Sequence, residues 1–242
     1  MIGPAALVLA LALVYGLGVR QVCGWPPVRT AAFLAGVACL AVALIGPLDD
    51  DAARSLSAHM AQHLLLGVVA PLLLAMGAPV RLALAASPHR GWARVLHALP
   101  LRPWVGWTAF TAVMLGTHVV GVYELALRHP VIHALEHLAY LTAGLLFWIP
   151  LLAVDPIPHP PGPAARFAWL LAAMPPMGIV GARLLTPSIA YPSYPNLTDQ
   201  RTAAGVMWGA GSLLMSAALV AIVFAALLRE EARQRRREAA AR

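Results

Sequence analysis

The stretch that decides the fold spans residues 129–140 and reads His-Pro-Val-Ile-His-Ala-Leu-Glu-His-Leu-Ala-Tyr. Its second and third histidines, His133 and His137, are four residues apart, so on an α-helix they lie on the same face. Pro130 suits the first helical turn, where a missing N–H group has no partner to lose. Residues 141–152 are almost wholly apolar. The histidines therefore mark one end of a helix apolar enough to lie in a membrane.

A second pair with the same spacing, His59 and His63, stands at the start of another apolar stretch. The two pairs share a pattern rather than a sequence, so they do not indicate an internal repeat. Two helices that each begin with a His-x-x-x-His pair are the feature that a functional interpretation has to explain.

The composition indicates a membrane protein. Hydrophobic residues make up 60% of the chain and charged residues 11%, against about 25% charged residues in a soluble domain. A helix that crosses a bilayer needs roughly 20 mostly apolar residues. Stretches of about this kind occupy residues 2–19, 30–47, 59–78, 104–122, 131–152, 167–185 and 204–228. The sequence predicts an all-α fold, a polytopic seven-helix transmembrane bundle that forms a single domain over 1–242.

The distribution of arginine predicts the orientation of this bundle. No basic residue precedes the first apolar stretch and Arg20 follows it, so we expect a retained first helix with the N-terminus outside. The basic tail 229–242 is then cytoplasmic after seven crossings. The chain has 17 arginines and no lysine. Thirteen of the 17 fall on the inner side, and the four that fall outside are Arg54, Arg128, Arg183 and Arg201. The isoelectric point of about 10.4 thus reflects orientation in a lipid bilayer, and no nucleic-acid partner is predicted.

This topology places six histidines in one outer layer. They lie at the outer ends of the third, fourth and fifth helices, and each four-residue pair spans about 6 Å of depth. Neutral imidazole is the commonest metal ligand, and Glu136 could bind a metal or fix a histidine tautomer. Methionine sulfur in the same half would favour Cu(I). The predicted metal ligands are His59, His63, His118, His133, His137, Glu136, Met60 and Met207, with His129 as a weaker member because it also suits a cap or loop role.

Other interpretations of the same residues stay open. A single histidine in a membrane helix more often forms a hydrogen bond between helices, and scattered methionines more often serve packing. Histidine-rich helices also hold two irons in membrane oxidoreductases of the histidine-box kind, although there the histidines are more numerous and cytoplasmic. One histidine from each of two helices would bind haem in an electron carrier. Zinc, iron and haem therefore remain alternatives to copper.

Three ordered motifs resemble those of the CtaG-type cytochrome c oxidase assembly factors. They are Ser-Ala-His-Met-Ala-Gln-His-Leu-Leu-Leu (57–66) with Gly-Ala-Pro (77–79), His-Ala-Leu-Glu-His (133–137) with Phe-Trp-Ile-Pro (147–150), and Leu-Thr-Asp-Gln (197–200) with Gly-Val-Met-Trp (205–208). The resemblance covers about 50–230. It implies a non-enzymatic, multi-pass protein of the bacterial plasma membrane that is needed for an active haem–copper oxidase of the caa type.

The resemblance also implies copper as cargo and cytochrome c oxidase subunits as partners. Carried over onto this chain, it makes His59, His63, His133, Glu136 and His137 the functional residues, with Asp199 and Gln200 secondary. The sequence does not decide whether the protein forms a homo-oligomer.

Overall fold

The computed structural model describes residues 3–87 and 100–240. The arginine-rich segment 88–99, which the sequence assigns to an inner loop, lies outside the described residues, as do the two residues at each end. Every regular element in the described ranges is helical. The elements are α1 (Pro4–Gln21), α2 (Pro27–Leu44), α3 (Pro47–Ala52), α4 (Leu56–Leu64), the π-helix π1 (Leu65–Val69), α5 (Ala70–Met76), α6 (Pro79–Ala86), α7 (Pro103–Thr117), α8 (Val120–Arg128), α9 (Pro130–Leu152), α10 (Pro163–Ala172), α11 (Met174–Leu184), α12 (Leu197–Ala204), the π-helix π2 (Gly205–Ala210) and α13 (Gly211–Ala240).

Proline sets the beginning of most of these helices. Seven of them start with a proline at their first position, where its fixed φ is already helical and its missing N–H is not needed. Within the described residues, six continuous helical stretches are long and apolar enough to cross a membrane, and some of them join several of the labelled helices. The number is seven if the bent pair α7 and α8 is counted as one further stretch. The predicted all-helical architecture with several apolar helices is confirmed. The exact number of crossings and their orientation stay predictions.

The fourth predicted helix, 104–122, was expected to run without a break. In the structure α7 ends at Thr117, and α8 continues at an angle of 78° to it. The reason lies in the side chains at the bend: the Thr117 hydroxyl donates to the carbonyl of Val113 at 2.8 Å, and Nδ1 of His118 bonds to the carbonyl of Met114 at 2.7 Å. The bond from Thr117 returns to the carbonyl four residues earlier, which tends to bend a helix. The bond from His118 satisfies the Met114 carbonyl, which a longer helix would have bonded to the backbone N–H of His118. Residues 123–128, expected as an outer loop, lie within the short helix α8.

Four other segments differ from expectation. The acidic segment 49–51, predicted as a loop, lies in the short helix α3. The seventh predicted helix, 204–228, extends further than expected, because α13 continues into the tail 229–242 as far as Ala240. Pro71 was expected to kink the third helix, and the chain accommodates it with the π-helical turn π1 just before it. The break expected near Pro175 and Pro176 occurs at Ala173, between α10 and α11.

Glycines allow the central helices to approach closely. A Cβ on Gly106 of α7 would meet the backbone of Leu146 and the Cα of Phe147 on α9. A Cβ on Gly144 of α9 would meet the carbonyl of Gly67 in π1. Close helix contact of this kind is typical of membrane bundles. It brings α4, α7 and α9 together in the core, while α1 and α13 expose apolar side chains such as Leu13 and Leu213 on the periphery.

Candidate metal centre

Helices α4, α7 and α9 bring five of the six predicted histidines together at one end of the bundle. The ring centroids are 4.4 Å apart for His59 and His63 and 4.2 Å apart for His133 and His137. The two pairs face each other, since the rings of His59 and His133 are 5.3 Å apart and those of His63 and His137 are 6.1 Å apart. His118 lies 5.8 Å from His63. We call these five histidines and Glu136 the histidine cluster.

The nitrogen and oxygen atoms of the cluster are close enough to share an ion. Nε2 of His59 is 3.0 Å from Nε2 of His63, and Nε2 of His63 is 3.8 Å from Oε1 of Glu136. Ligand atoms of His59, His133 and Glu136 all lie within 4.8 Å of one another. Two nitrogens bound to one tetrahedral ion at about 2.0 Å would be about 3.3 Å apart, so the spacing fits a metal site.

Several buried polar atoms of the cluster have no hydrogen-bond partner. They are Nδ1 of His63, Nε2 of His133, Nε2 of His137 and Oε1 of Glu136. Leaving a buried polar atom unpaired costs about 1–3 kcal/mol, so four such atoms at one place call for an explanation. His133 and Glu136 belong to the group whose ligand atoms lie within 4.8 Å of one another, so one bound cation would satisfy both of them. The donor set therefore fits a metal, with imidazole nitrogen in the majority.

The tautomer of His59 follows from a chain of hydrogen bonds. The hydroxyl of Tyr194 donates to the carbonyl of Ala52 at 2.6 Å, so its oxygen accepts the 3.0 Å bond from Nδ1–H of His59. Burial raises the pKa of Tyr194 above its ordinary value, so the hydroxyl keeps its proton. In the neutral ring Nε2 then carries the lone pair and points into the cluster. His59 is thereby prepared as a ligand.

Aromatic rings form the wall of the cluster. Tyr140 stacks on His63 with centroids 4.3 Å apart, and Tyr123 lies 5.2 Å from His59 and stacks on Tyr191 at 4.0 Å. Tyr123 and Tyr140 are almost fully buried. This wall limits the access of water from the core side and leaves an opening near His133. A pocket there is lined by eight residues: Asp49, Ala52, Ala53, His59, Leu127, His133, Ser193 and Tyr194.

Comparisons with known proteins identify the family. The model of the cytochrome c oxidase caa3 assembly factor family matches residues 13–230. The chain belongs to this family. The predicted resemblance is thus confirmed, and the histidine cluster lies in a member of the caa3 assembly factor family.

The chain is also similar to mycobacterial proteins. It is 28% identical to proteins called uncharacterized from Mycobacterium bovis and from Mycobacterium tuberculosis, over 92% of this chain and 38% of each relative. A Mycobacterium leprae protein, also called uncharacterized, matches to the same extent. The chain thus spans well under half the length of the curated relatives it matches. No solved structure matches.

Asp199, which the resemblance to caa3 assembly factors marks as secondary, lies at the beginning of the histidine helix α4 rather than among the ligand atoms. Its carboxylate accepts bonds from the backbone N–H groups of Leu56 at 2.6 Å and Ser57 at 3.4 Å. It also accepts bonds from the hydroxyls of Ser55 and Ser57. Because α4 carries His59 and His63, Asp199 positions both histidines by capping their helix.

Replacing Asp199 by alanine is expected to destabilise the protein by about 2–3 kcal/mol, because charged hydrogen bonds to a helix N-terminus are lost. Thermal unfolding in detergent measures the change. Asp50→Ala is the matched control, since Asp50 is exposed and its loss should leave the unfolding temperature unchanged. An equal effect of both substitutions would contradict the capping role.

Gln200, the other secondary residue, stabilises the loop that covers the cluster. Its Nε2 donates to the carbonyls of Leu184 at 3.0 Å and Ser188 at 3.1 Å, and its Oε1 accepts from the N–H of Ala190 at 2.7 Å. The same loop, 185–196, is tied to the cluster by Tyr191, whose hydroxyl donates to the carbonyl of His118 at 2.9 Å. Gln200 therefore acts on the site through the loop.

Two predicted ligands lie apart from the contacts described above. His129 is exposed and precedes α9 as its N-cap residue, without a side-chain capping bond. Met207 is fully buried in the hydrophobic core within π2, and its role as a ligand stays a prediction. Met60, by contrast, contacts the cluster: its sulfur is 3.3 Å from Nε2 of His118.

Sequence reasoning did not assign roles to Tyr123 or Tyr194. Both are tyrosines in segments that were expected to be outer loops, and helical spacing does not link them to any histidine. The composition of the second segment was the available signal. Residues 191–195 read Tyr-Pro-Ser-Tyr-Pro, and its two prolines and two tyrosines make it more rigid and more aromatic than an exposed loop needs to be. Tyr140 is three residues after His137, so helical spacing alone places it near the histidine face of α9.

Proposed function

We propose that this assembly factor binds copper in the histidine cluster and delivers it to a haem–copper oxidase during assembly. The observation that carries the proposal is the convergence of five imidazoles and one carboxylate from three helices. Four of these residues carry unpaired buried polar atoms, and ligand atoms of His59, His133 and Glu136 lie within 4.8 Å of one another. Membership of the oxidase assembly family supplies the partner, because haem–copper oxidases need copper to become active. The protein binds and transfers an ion and carries out no covalent chemistry.

Copper is proposed over the alternatives on ligand chemistry and geometry. Imidazole suits copper, zinc and iron alike, whereas the sulfur of Met60 at the edge of the cluster favours Cu(I). A haem held by one histidine from each of α4 and α9 would place the two rings on opposite faces of a porphyrin. In the structure the rings are 5.3 Å apart for His59 and His133 and 6.1 Å apart for His63 and His137, and a haem held by either pair would leave the second histidine of each helix without a role.

The pocket beside His59 and His133 is the proposed route for the ion. Asp49 lines this pocket with the two histidines, and its carboxylate would attract a cation to the opening. The arginine distribution predicts that this end of the bundle faces the outside of the bacterial plasma membrane. An ion from that side would meet His59 and His133 first and the more deeply buried His63 afterwards.

Elemental analysis of the protein, purified without oxygen in a mild reductant, tests the proposal. We expect copper at about one or two ions per chain, with little iron and no haem absorption band. Protein passed through a copper chelator at the same stage serves as the control for loosely bound metal. Iron with a haem band would establish the electron-carrier alternative, and two irons without that band would establish the histidine-box alternative.

A further inference from the structure

When His118 is neutral, no hydrogen atom lies between its Nε2 and the sulfur of Met60. Nδ1 of His118 is 2.7 Å from the carbonyl oxygen of Met114. A carbonyl oxygen only accepts, so Nδ1 is the nitrogen that carries the proton. Nε2 then holds a lone pair, and it faces the thioether sulfur of Met60 at 3.3 Å. Sulfur in a thioether has no proton to donate, so two acceptors face each other in a buried place.

This arrangement suits a soft cation shared by the two atoms. A proton on Nε2 would create a buried charge with only a weak acceptor beside it, which is costly. A metal at about 2.0 Å from nitrogen and 2.3 Å from sulfur, with a tetrahedral angle, would hold the two atoms about 3.5 Å apart. The observed distance is close to this value. Thioether and imidazole together select Cu(I) over harder divalent ions.

The pair lies beside the rest of the cluster but is separate from its nitrogen and oxygen ligands. The group whose ligand atoms lie within 4.8 Å of one another is formed by His59, His133 and Glu136 and does not include His118. His63 stands between the two places, with its ring 4.4 Å from His59 and 5.8 Å from His118, and its Nδ1 has no partner. An ion can therefore be passed between neighbouring ligands without crossing apolar space.

We infer that Met60 and His118 form a second copper station that accepts only Cu(I), and that His63 connects it to the group of His59, His133 and Glu136. This inference rests on the proposed function and deepens it. The first group would accept copper or zinc, because imidazole and carboxylate bind both. Met60 would then be the residue that determines which metal is retained at the second station.

X-ray absorption at the copper edge, on anaerobic wild-type protein in detergent loaded with Cu(I), tests the inference. We expect a sulfur neighbour at about 2.3 Å, the length of comparable metal–sulfur bonds. In Met60→Leu, a swap that conserves volume, we expect this neighbour to disappear and the Cu(I) content to fall by about one ion per chain. Zn²⁺ binding by the same variant should be unchanged.

Met215→Leu is the matched control, because Met215 is also fully buried in the core and should keep the sulfur neighbour. Wild-type copper with nitrogen and oxygen neighbours alone would overturn the second station and leave the proposed function standing. A sulfur neighbour that persists in Met60→Leu would also overturn it. Wild-type protein without copper would overturn the proposed function together with the station. The wild-type spectrum is decisive even if the Met60 variant fails to fold.

Discussion

His63→Ala is expected to abolish most copper binding while the protein remains in the membrane. The side chain of His63 is fully buried and lies beside four other members of the cluster, since its ring is next to His59, His118 and His137 and its Nε2 is 3.8 Å from Glu136. Outer partners of metal ligands change affinity by about 10–100-fold when they are removed, and a central ligand should change it at least as much. His137→Ala, on the facing helix, should act in the same direction.

Copper per folded chain, and the oxidase activity of membranes that contain each variant, measure these effects. His129→Ala is the matched control because His129 is an exposed histidine at the start of the same helix as His137, and its copper content should be normal. Normal copper in both His63→Ala and His137→Ala would rule out the site. Loss of the protein from the membrane, in place of loss of copper, would show that the histidines serve packing.

Gly106→Ala is expected to prevent α7 from docking on α9. The added methyl group would overlap the backbone of Leu146 and come within 2.8 Å of the Cα of Phe147. Backbone cannot rotate away as a side chain does, so the helices must separate. Overpacking of a buried contact costs about 1–3 kcal/mol or more. Because α7 carries His118, the variant should lose both thermal stability and the sulfur neighbour of copper.

Gly116→Ala on the same helix provides the control. A Cβ at Gly116 meets nothing within 4 Å, so this substitution should be neutral or stabilising by up to about 1 kcal/mol through helix propensity. The two variants differ only in what surrounds the added methyl group. Equal unfolding temperatures for both would mean that α7 and α9 are not packed as closely as described.

The sequence was sufficient for the helices and for the histidine pairs, because both depend on local spacing. Hydropathy marks the apolar stretches, and a four-residue interval places His133 beside His137 on any α-helix. The bend at His118 was not predictable in this way. It has no proline or glycine at the break itself. It depends on side chains that bond to the carbonyls of Val113 and Met114, in competition with the helix.

The roles of Asp199 and Tyr194 were beyond the sequence for a different reason. Asp199 bonds to residues 55–57 across more than 140 positions of the chain, and Tyr194 reaches Ala52 and His59 across a similar distance. Such pairs are set by the packing of α12 and its preceding loop against α4. The family resemblance identified Asp199 as important, and only the structure showed that it caps a helix.

The directions of the three site helices create an electric field across the cluster. α4 and α9 both begin there, with His59 and His133 each at the fourth helical position, and a helix N-terminus acts as roughly half a positive charge. α7 instead ends beside His118, where the partial charge is negative. The carboxylate of Asp199 offsets the positive end of α4, and α8 begins with its own positive end at Val120, two residues beyond His118. The positive end of α9 has no acidic residue in its first turn, so it repels a divalent ion twice as strongly as a monovalent one. This helix end therefore favours an ion of low charge at the opening.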